Sequence, residues 1–408
     1  MKTNHAQKNT SNGWQLVKLG VVCDVSAGGT PSTEVSEYWE NGNVPWANSA
    51  EINKKNIYET ENFITEKGLK NSSAKLVPVN SVLIALAGQG STRGKVAVNK
   101  ISLATNQSIA FFTPKKDINY SFLRSDLERR YQELRSISAG DGGRGGLNLQ
   151  ILKSLKIKLP PLPEQDRIVS ILETWDKSIE KITQKIKAKN QIKKALMRDL
   201  LTSKIRLTGF TDTWKILKLG EVGKVSMCKR IFQSETLFSG DIPFFKIGTF
   251  GKAPDAFISK EIYQEYKNKY SFPKKGEILI SASGTIGRTV VYDGNPAYFQ
   301  DSNIVWISND EKKVINSFLY YVYKITEWHT DSSTIARLYN DNLRRIKIHV
   351  PSIEEQEEIA EILITADKEI TELEKKLSIL KEQKRYLLNN LITGTIRTPE
   401  TLSTKLTK

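Results

Sequence analysis

Three stretches of the chain carry residue types that could do chemistry, and the spacing within each decides what chemistry it fits. Gly90-Ser-Thr-Arg-Gly94-Lys95-Val96 has the glycines and lysine of a phosphate-cradling loop. One residue too few separates the glycines, and Val96 stands where a hydroxyl should ligate Mg²⁺, so the P-loop pattern fails. Pro254-Asp255 followed by Glu265-Tyr266-Lys267 loosely fits the metal site of a nuclease. Gly140 to Gly146, GDGGRGG, is a glycine-rich loop around one basic side chain, Arg144. His5, His329 and His349 are scattered without an HExxH pattern, and Cys23 and Cys228 have no second thiol nearby. A dedicated metal site or a disulfide framework is therefore not expected. No GxGxxG, no Asp/Asn-Pro-Pro-aromatic motif and no Ser/His/Asp set can be assembled, so we expect no catalytic residues in this chain.

What remains of these loops is charge. Arg93 and Lys95 in one place and Arg288 in another sit on similar basic, glycine-rich turns, which read either as loops approaching a phosphate backbone or as plain hairpin turns. Lys246 and Arg144 join them as candidate DNA contacts. The aromatic residues Tyr38, Trp39, Trp46, Phe244, Phe245 and Phe250 could stack on bases, although core packing is the commoner use of such side chains.

The charge balance supports a polyanionic partner. The 408 residues hold 61 basic and 45 acidic side chains, a net of +16. Residues 1–163 carry +8 and residues 207–353 carry +5, so most of the excess lies on two separate regions. That suits a polyanion gripped at two places. With 39% hydrophobic and 26% charged residues the composition is that of a soluble globular protein. No apolar run approaches the ~20 residues of a membrane span, and Met1 to Asn12 lacks the apolar core of a secretory signal. A cytoplasmic location is expected.

The elements that position these loops are written twice. Trp14 to Gly20, WQLVKLG, returns as WKILKLG at Trp214 to Gly220, and GNVPW (Gly42 to Trp46) returns as GDIPF (Gly240 to Phe244). VLIALAG (Val82 to Gly88) matches ILISASG (Ile278 to Gly284), and Gly94-Lys95 matches Gly287-Arg288. KSLKIKLPPLPEQ (Lys153 to Gln165) lies on RRIKIHVPSIEEQ (Arg344 to Gln356), 191 positions on. The offset falls steadily along the chain, as small loop insertions in the first copy would make it.

From there the offset of 191 holds without a gap through two helical stretches. Ile168, Leu172, Trp175, Ile179, Ile182 and Ile186 recur at alternating spacings of four and three, and Ile359, Leu363, Ala366, Ile370, Leu373 and Leu377 keep the same register. That alternation is the seam of a coiled coil. Lys193 and Lys384 interrupt it at equivalent places. Ser352 with Glu355 fits a capping box, Pro163 fits a first helical position, and Gly394 fits a left-handed stop. Each helix should run about 38 residues, or roughly 57 Å.

The order domain, helix, domain, helix leaves each apolar stripe in need of a partner, and the other helix, packed antiparallel, is the simplest one. The predicted fold is thus mixed α/β: two globular domains separated by two long antiparallel coiled-coil helices with a pseudo-twofold axis. The divisions are residues 1–163, 164–206, 207–353, 354–397 and a tail, 398–408. Domain swapping between two chains would satisfy the same pattern. Val79 to Ala85, Glu277 to Ser281, Ile109 to Thr113 and Ile304 to Ser308 read as strands. Tyr120 to Arg135 and Asn316 to Trp328 read as helices.

Two diverged domains that begin near W-x-x-x-x-L-G and end in a helix entered through P-x-x-x-E-Q, with LPPLPEQDRIVSIL, VPSIEEQEEIAEIL, SAGGTPS (Ser26 to Ser32) and YWENGNVPW, resemble the specificity subunit of type I restriction-modification systems. The resemblance covers essentially the whole chain. It implies a non-catalytic, sequence-specific binder of double-stranded DNA whose two target-recognition domains each read half of a bipartite site, with the helix pair as ruler. The partners it implies are two methyltransferase subunits, which use S-adenosylmethionine to methylate adenine N6, and two restriction subunits using ATP and Mg²⁺. Gly28, Gly29, Thr30 and Pro31 match a family loop, which places Gly28, Gly29 and Thr30 among the DNA contacts. The second copy has Met227, Cys228, Lys229 and Arg230 there, so the two half-sites should differ. Ile168, Leu172, Ile179, Ile359, Leu363 and Ile370 would form the seam and carry partner docking. Two readings of other classes stay open: a stand-alone Mg²⁺-dependent nuclease using Asp255, Glu265 and Lys267, and a coiled-coil scaffold without DNA function.

Overall fold

The computed structural model describes residues 13–87, 91–137, 147–328 and 338–402. The chain divides into two compact units, one made of Met1–Ile182 with Lys376–Lys408 and the other of Thr183–Lys375. Two long helices, Leu162–Leu200 and Ile353–Ile392, supply a segment to each unit.

In the first unit the phrase WQLVKLG opens on a strand, Gln15–Lys18, that pairs antiparallel with Lys156–Leu159, the strand leading into the first long helix. The two best-matched phrases of the repeat are thus neighbours in space. Beyond them lies a five-stranded sheet in the order Cys23–Ala27, Ile109–Pro114, Val82–Ala85, Val96–Asn99, Asn56–Ile57. A smaller sheet orders Asn62–Ile64, Val44–Ala47 and Ala104–Thr105. Every residue of Val82–Ala85 is buried because both faces of the larger sheet are covered. Val82 and Ile84 join the core that includes Ile168, Leu172 and Leu391 of the long helices, whereas Leu83 and Ala85 join a second core with Ile52, Ile57 and Phe111.

The second unit repeats the plan. Lys215–Lys218 pairs antiparallel with Lys347–Val350. Its larger sheet orders Gly223–Ser226, Ile304–Asn309, Ile278–Ser281 and Thr289–Val291, and its smaller one Phe257–Ile258, Ile242–Phe245 and Tyr298–Phe299. Ile278 and Ile280 again face the helix-side core and Leu279 the opposite one. Among the described residues the larger sheet here lacks the fifth strand, which in the first unit runs parallel to Val96–Asn99.

Within each unit the helix segments run antiparallel. Glu164 faces Arg397 and, further along the first helix, Asp176 faces Lys384, which lies earlier in the second. In the other unit Lys193 faces Asp367 and Arg206 faces Glu355. Composition explains the direction. Residues 354–375 hold nine acidic and two basic side chains, and residues 183–206 hold one acidic and eight basic ones. Acid near the start and base near the end of a helix also suit its dipole.

Several local expectations are refined. The helix expected over Tyr120 to Arg135 breaks into Tyr120–Arg129 and Tyr131–Ile137. The intervening Arg130 turns its guanidinium to the Asp126 carboxylate and the Lys156 carbonyl. The helix from Asn316 stops at Ile325, where Thr326 turns extended. Pro163 is the second residue of its helix. Ser352 does cap the second helix, its hydroxyl accepting from the Glu355 N–H at 3.3 Å. The Glu355 carboxylate does not reach back to complete the box, because Arg206 and Trp214 occupy it. At the far end Gly394 is left-handed, with φ +73°, and its equivalent Ser203 takes φ +55°.

Candidate nucleic-acid interface

The strongest sequence signal, the E-Q pair at each helix entrance, proves to be a clamp. Glu164 Oε1 and Oε2 accept from Arg397 Nε and Nη2 at 2.6 and 2.7 Å, and Oε2 also accepts from Trp14 Nε1 at 2.9 Å. Glu355 does the same with Arg206 at 2.7 and 2.8 Å and with Trp214 at 3.1 Å. Each arginine also lies over the ring of its tryptophan, 5.4 Å away in the first unit and 5.7 Å in the second. The neighbouring glutamine fixes the loop before a domain helix. Gln165 donates to the carbonyls of Pro160 and Asp117 and accepts from the Asn119 N–H, and Gln356 donates to those of Pro351 and Lys313 and accepts from the Ile315 N–H. One dipeptide therefore ties together the domain's first strand, one helix start and the other helix's end. Burial alone would raise the Glu164 carboxyl. The hydrogen bonds from Arg397 and Trp14, with the Arg397 charge, outweigh it and hold the group below its usual range.

The two lysines that break the apolar seam have partners across it. Lys384 pairs with Asp176 at 2.8 Å, and Lys193 pairs with Asp367, which also accepts from the Tyr321 hydroxyl at 2.8 Å. A polar pair inside an otherwise apolar seam fixes register, since any slip leaves a charge without its partner. In the first unit Lys55 of the domain also reaches Asp176, and Arg124 lies 4.0 Å from it. Burial raises the Asp176 carboxyl, but Lys384 and Lys55 more than offset this and hold it low. Lys55 is itself pushed below the usual lysine value, first by burial and then by Arg124. Of the seam residues named from sequence, Ile168, Leu172, Ile359, Leu363 and Ile370 are buried and Ile179 is half-buried.

The loop candidates fall in several places. Gly28 and Gly29 run so close to neighbouring backbone that a methyl would collide with the Thr105 carbonyl and with Ser73, respectively. Close packing thus accounts for both glycines. The Thr30 hydroxyl donates to Gln107. Gly94 and Gly287 close equivalent hairpins with φ +81° and +79°, and their N–H groups donate to the carbonyls of Ala85 and Ser281. Beside them Lys95 donates to Asn53 at 2.7 Å and Arg288 to the Phe250 carbonyl at 2.9 Å, while Arg93 is half-buried. Lys246 pairs with Asp255 at 2.9 Å. Arg144 lies outside the described residues. Among the described residues, Thr30, Lys95, Arg288 and Lys246 each take a partner outside this set.

The loose nuclease pattern is given other work. Asp255 is held by Lys246, and Lys267 donates to the Tyr263 hydroxyl and lies over the rings of Tyr263 and Phe272. Among the described residues no group of three or more His, Cys, Asp and Glu side chains could hold a metal ion. Trp46, Phe244 and Phe250 are buried, and Trp39 packs edge-on against Trp46 at 5.1 Å. Sequence reasoning missed the roles of Trp14, Trp214, Arg206 and Arg397, although all four stand in the repeated phrases. It also missed Phe238, which is fully exposed.

Two α/β domains, each locked to a pair of antiparallel helix segments by the same Trp-Glu-Arg clamp, define a duplicated recognition frame. The chain belongs to the type I restriction-modification DNA specificity family: the model of the type I restriction modification DNA specificity domain matches residues 11–193 and 211–382. A Haemophilus influenzae protein named as a type I restriction enzyme specificity subunit is 48% identical over 248 residues, which is 60% of this chain and 64% of that protein. The MjaVIII specificity subunit of Methanocaldococcus jannaschii is 26% identical over 410 residues, covering 94% of this chain and 93% of its own. The crystal structure of a type I S subunit from M. genitalium shares the fold, with a TM-score of 0.59, 18% identity, and coverage of 95% of this chain and 98% of that one. No helix among the described residues is long and apolar enough to cross a membrane.

Proposed function

We propose that this chain is the DNA-specificity subunit of a type I restriction-modification complex, each α/β domain reading one half of a bipartite duplex site. The observation that carries the reading is the contrast between frame and loops. The Glu and Arg of the clamps, the Lys-Asp pairs and the helix register recur residue for residue at an offset of 191, and the clamp tryptophans at an offset of 200. The loop that reads Gly28-Gly29-Thr30-Pro31 in one copy reads Met227-Cys228-Lys229-Arg230 in the other. A shared frame suits two equivalent docking sites for methyltransferase subunits, and unlike loops suit two unlike half-sites. In this reading the chain carries no catalysis of its own. S-adenosylmethionine sits on the methyltransferase partners, ATP and Mg²⁺ on restriction subunits, and the whole assembly works in the cytoplasm. Extraction and methylation of the adenine are then the partner's work.

Phosphate contacts by the Lys and Arg side chains supply affinity, and loop side chains in the grooves supply sequence discrimination. Gly28, Gly29, Thr30, Arg93, Lys95, Arg144, Lys246 and Arg288 remain the proposed DNA-contacting set. Binding of the chain, assembled with its methyltransferase, to random duplex should weaken steeply with salt, with a slope that shrinks by about one on removing a phosphate-contacting lysine. Salt-independent binding, or none, would refute the proposal.

A further inference from the structure

The second domain carries a cleft of about 600 Å³ whose lining includes Arg230, Phe238, Lys246, Asp255, Asp301 and Asn303. Its charges come as two couples: Arg230 Nε lies 3.0 Å from Asp301 Oδ2, and Lys246 Nζ lies 2.9 Å from Asp255 Oδ1. Three of these four side chains are exposed, while Asp301 is only 17% exposed. Arg230 is 61% exposed, Lys246 41% and Asp255 58%. At the rim the loop between Gly223–Ser226 and Ile242–Phe245 holds out three apolar side chains, Phe232 at 57%, Leu237 at 47% and Phe238 at 100% exposure. The loop is held in shape, since Leu237 and Phe257 exchange both backbone hydrogen bonds, at 2.8 and 2.9 Å. Three exposed apolar side chains gathered on one short fixed loop mark a surface that something covers.

The chemistry of the cleft says what that is. Residues 207–353 carry 20 basic and 15 acidic side chains, so the domain as a whole attracts a polyanion. The cleft itself is neutral and offers donors and acceptors side by side. A phosphate would meet the Asp301 and Asp255 carboxylates there, whereas the edge of a base pair presents both kinds of group. A base also has an aromatic face for an exposed ring to stack on, or a step for it to wedge apart. Two positions before the glycine of GDIPF stands Phe238, and two before the glycine of GNVPW stands Glu40, so the first copy has no ring there.

We infer that Phe238 inserts its ring against a base step of the half-site read by the second domain, and that Arg230, released from Asp301, reads base edges in the cleft beneath it. This rests on the specificity-subunit reading. The test uses the full chain assembled with its methyltransferase subunits, after the methylated motif of the wild-type complex has been determined. Phe238→Ala should lower affinity for the motif duplex about tenfold, the order of one lost base-aromatic stack, while Phe238→Tyr stays within about threefold. Arg230→Ala should relax the sequence requirement at one position of one half-site and leave the other half-site unchanged. Because Phe238 is fully exposed, the thermal midpoint should not move. Unchanged affinity for Phe238→Ala would overturn the inference. So would loss of the methyltransferase subunits from that variant, which would make the loop a protein-docking surface. A wild-type complex that methylates no split motif would instead overturn the underlying reading.

Discussion

Replacing Glu164 by glutamine tests whether the Trp-Glu-Arg clamp holds the frame together. The glutamine keeps the side chain's size but turns one acceptor oxygen into an NH₂ group aimed at donors of Arg397 or Trp14. Three hydrogen bonds of 2.6 to 2.9 Å are at stake, two of them from a cation. A hydrogen bond to a charged group contributes about 1.5–3 kcal/mol, and removing one member of a buried ion pair costs about 3–5 kcal/mol. The Glu164 side chain is 4% exposed but that of Arg397 is 37%, so water takes up part of the freed charge. The lower end therefore applies, about 2–3 kcal/mol. At roughly 2–4 °C per kcal/mol for a unit of this size, the first unit's transition should fall by about 4–12 °C in scanning calorimetry of the full chain. A cycle with Arg397→Ala should give a coupling of about 1–2 kcal/mol. The mirror variant Glu355→Gln should cost at least as much, since the Arg206 side chain is 26% exposed. A fall of less than about 1 °C, or independent effects of Glu164 and Arg397, would refute the clamp.

The remaining predictions concern the same frame. Ile370→Lys should destabilise by about 2–4 kcal/mol and Ile179→Lys by clearly less, because Ile370 is buried and Ile179 half-buried; thermal melts followed by circular dichroism in which Ile179 proved the more sensitive would contradict the seam. Glu164 and Asp176 are both held below their ordinary values of 4.5 and 3.8, so the folded state binds fewer protons than the unfolded chain as each titrates. Their stabilisation is complete above those ordinary values and fades as pH falls through the lowered ones, so the first unit's midpoint should drop on acidification and drop less steeply in Glu164→Gln. Burial pushes the Cys23 and Cys228 thiols up to about 12, so neither should react with a disulfide reagent at pH 8 within minutes until urea exposes both; rapid reaction of the folded chain would contradict their burial.

How far the sequence could be read depended on whether a feature is local. Helix seams show in a one-dimensional pattern because each turn brings the next apolar residue to the same face, so Ile168 to Ile186 and Ile359 to Leu377 were legible. The lysines at 193 and 384 were visible only as interruptions. Their partners, Asp367 and Asp176, lie 174 and 208 positions away in the chain, and no local pattern links them. The same holds for Glu164 with Arg397. The sheets were legible as separate strands but not in order, because Asn56–Ile57 and Ala104–Thr105 are two residues long and take their place from tertiary packing. At the candidate interface the sequence pointed to glycines and charges, while the fully exposed Phe238 has an ordinary apolar letter. Nothing in its neighbours shows that the loop turns outward there.

The most direct test of the account is the methylome of cells in which this chain is the only specificity subunit supplied to its methyltransferase. Two unlike recognition domains in one chain predict N6-methyladenine at a single asymmetric motif of two parts separated by a fixed run of unspecified bases. Exchanging residues 207–353 for those of a relative should replace one part and keep the other. A continuous motif, a palindromic one, or no new methylation at all would contradict it.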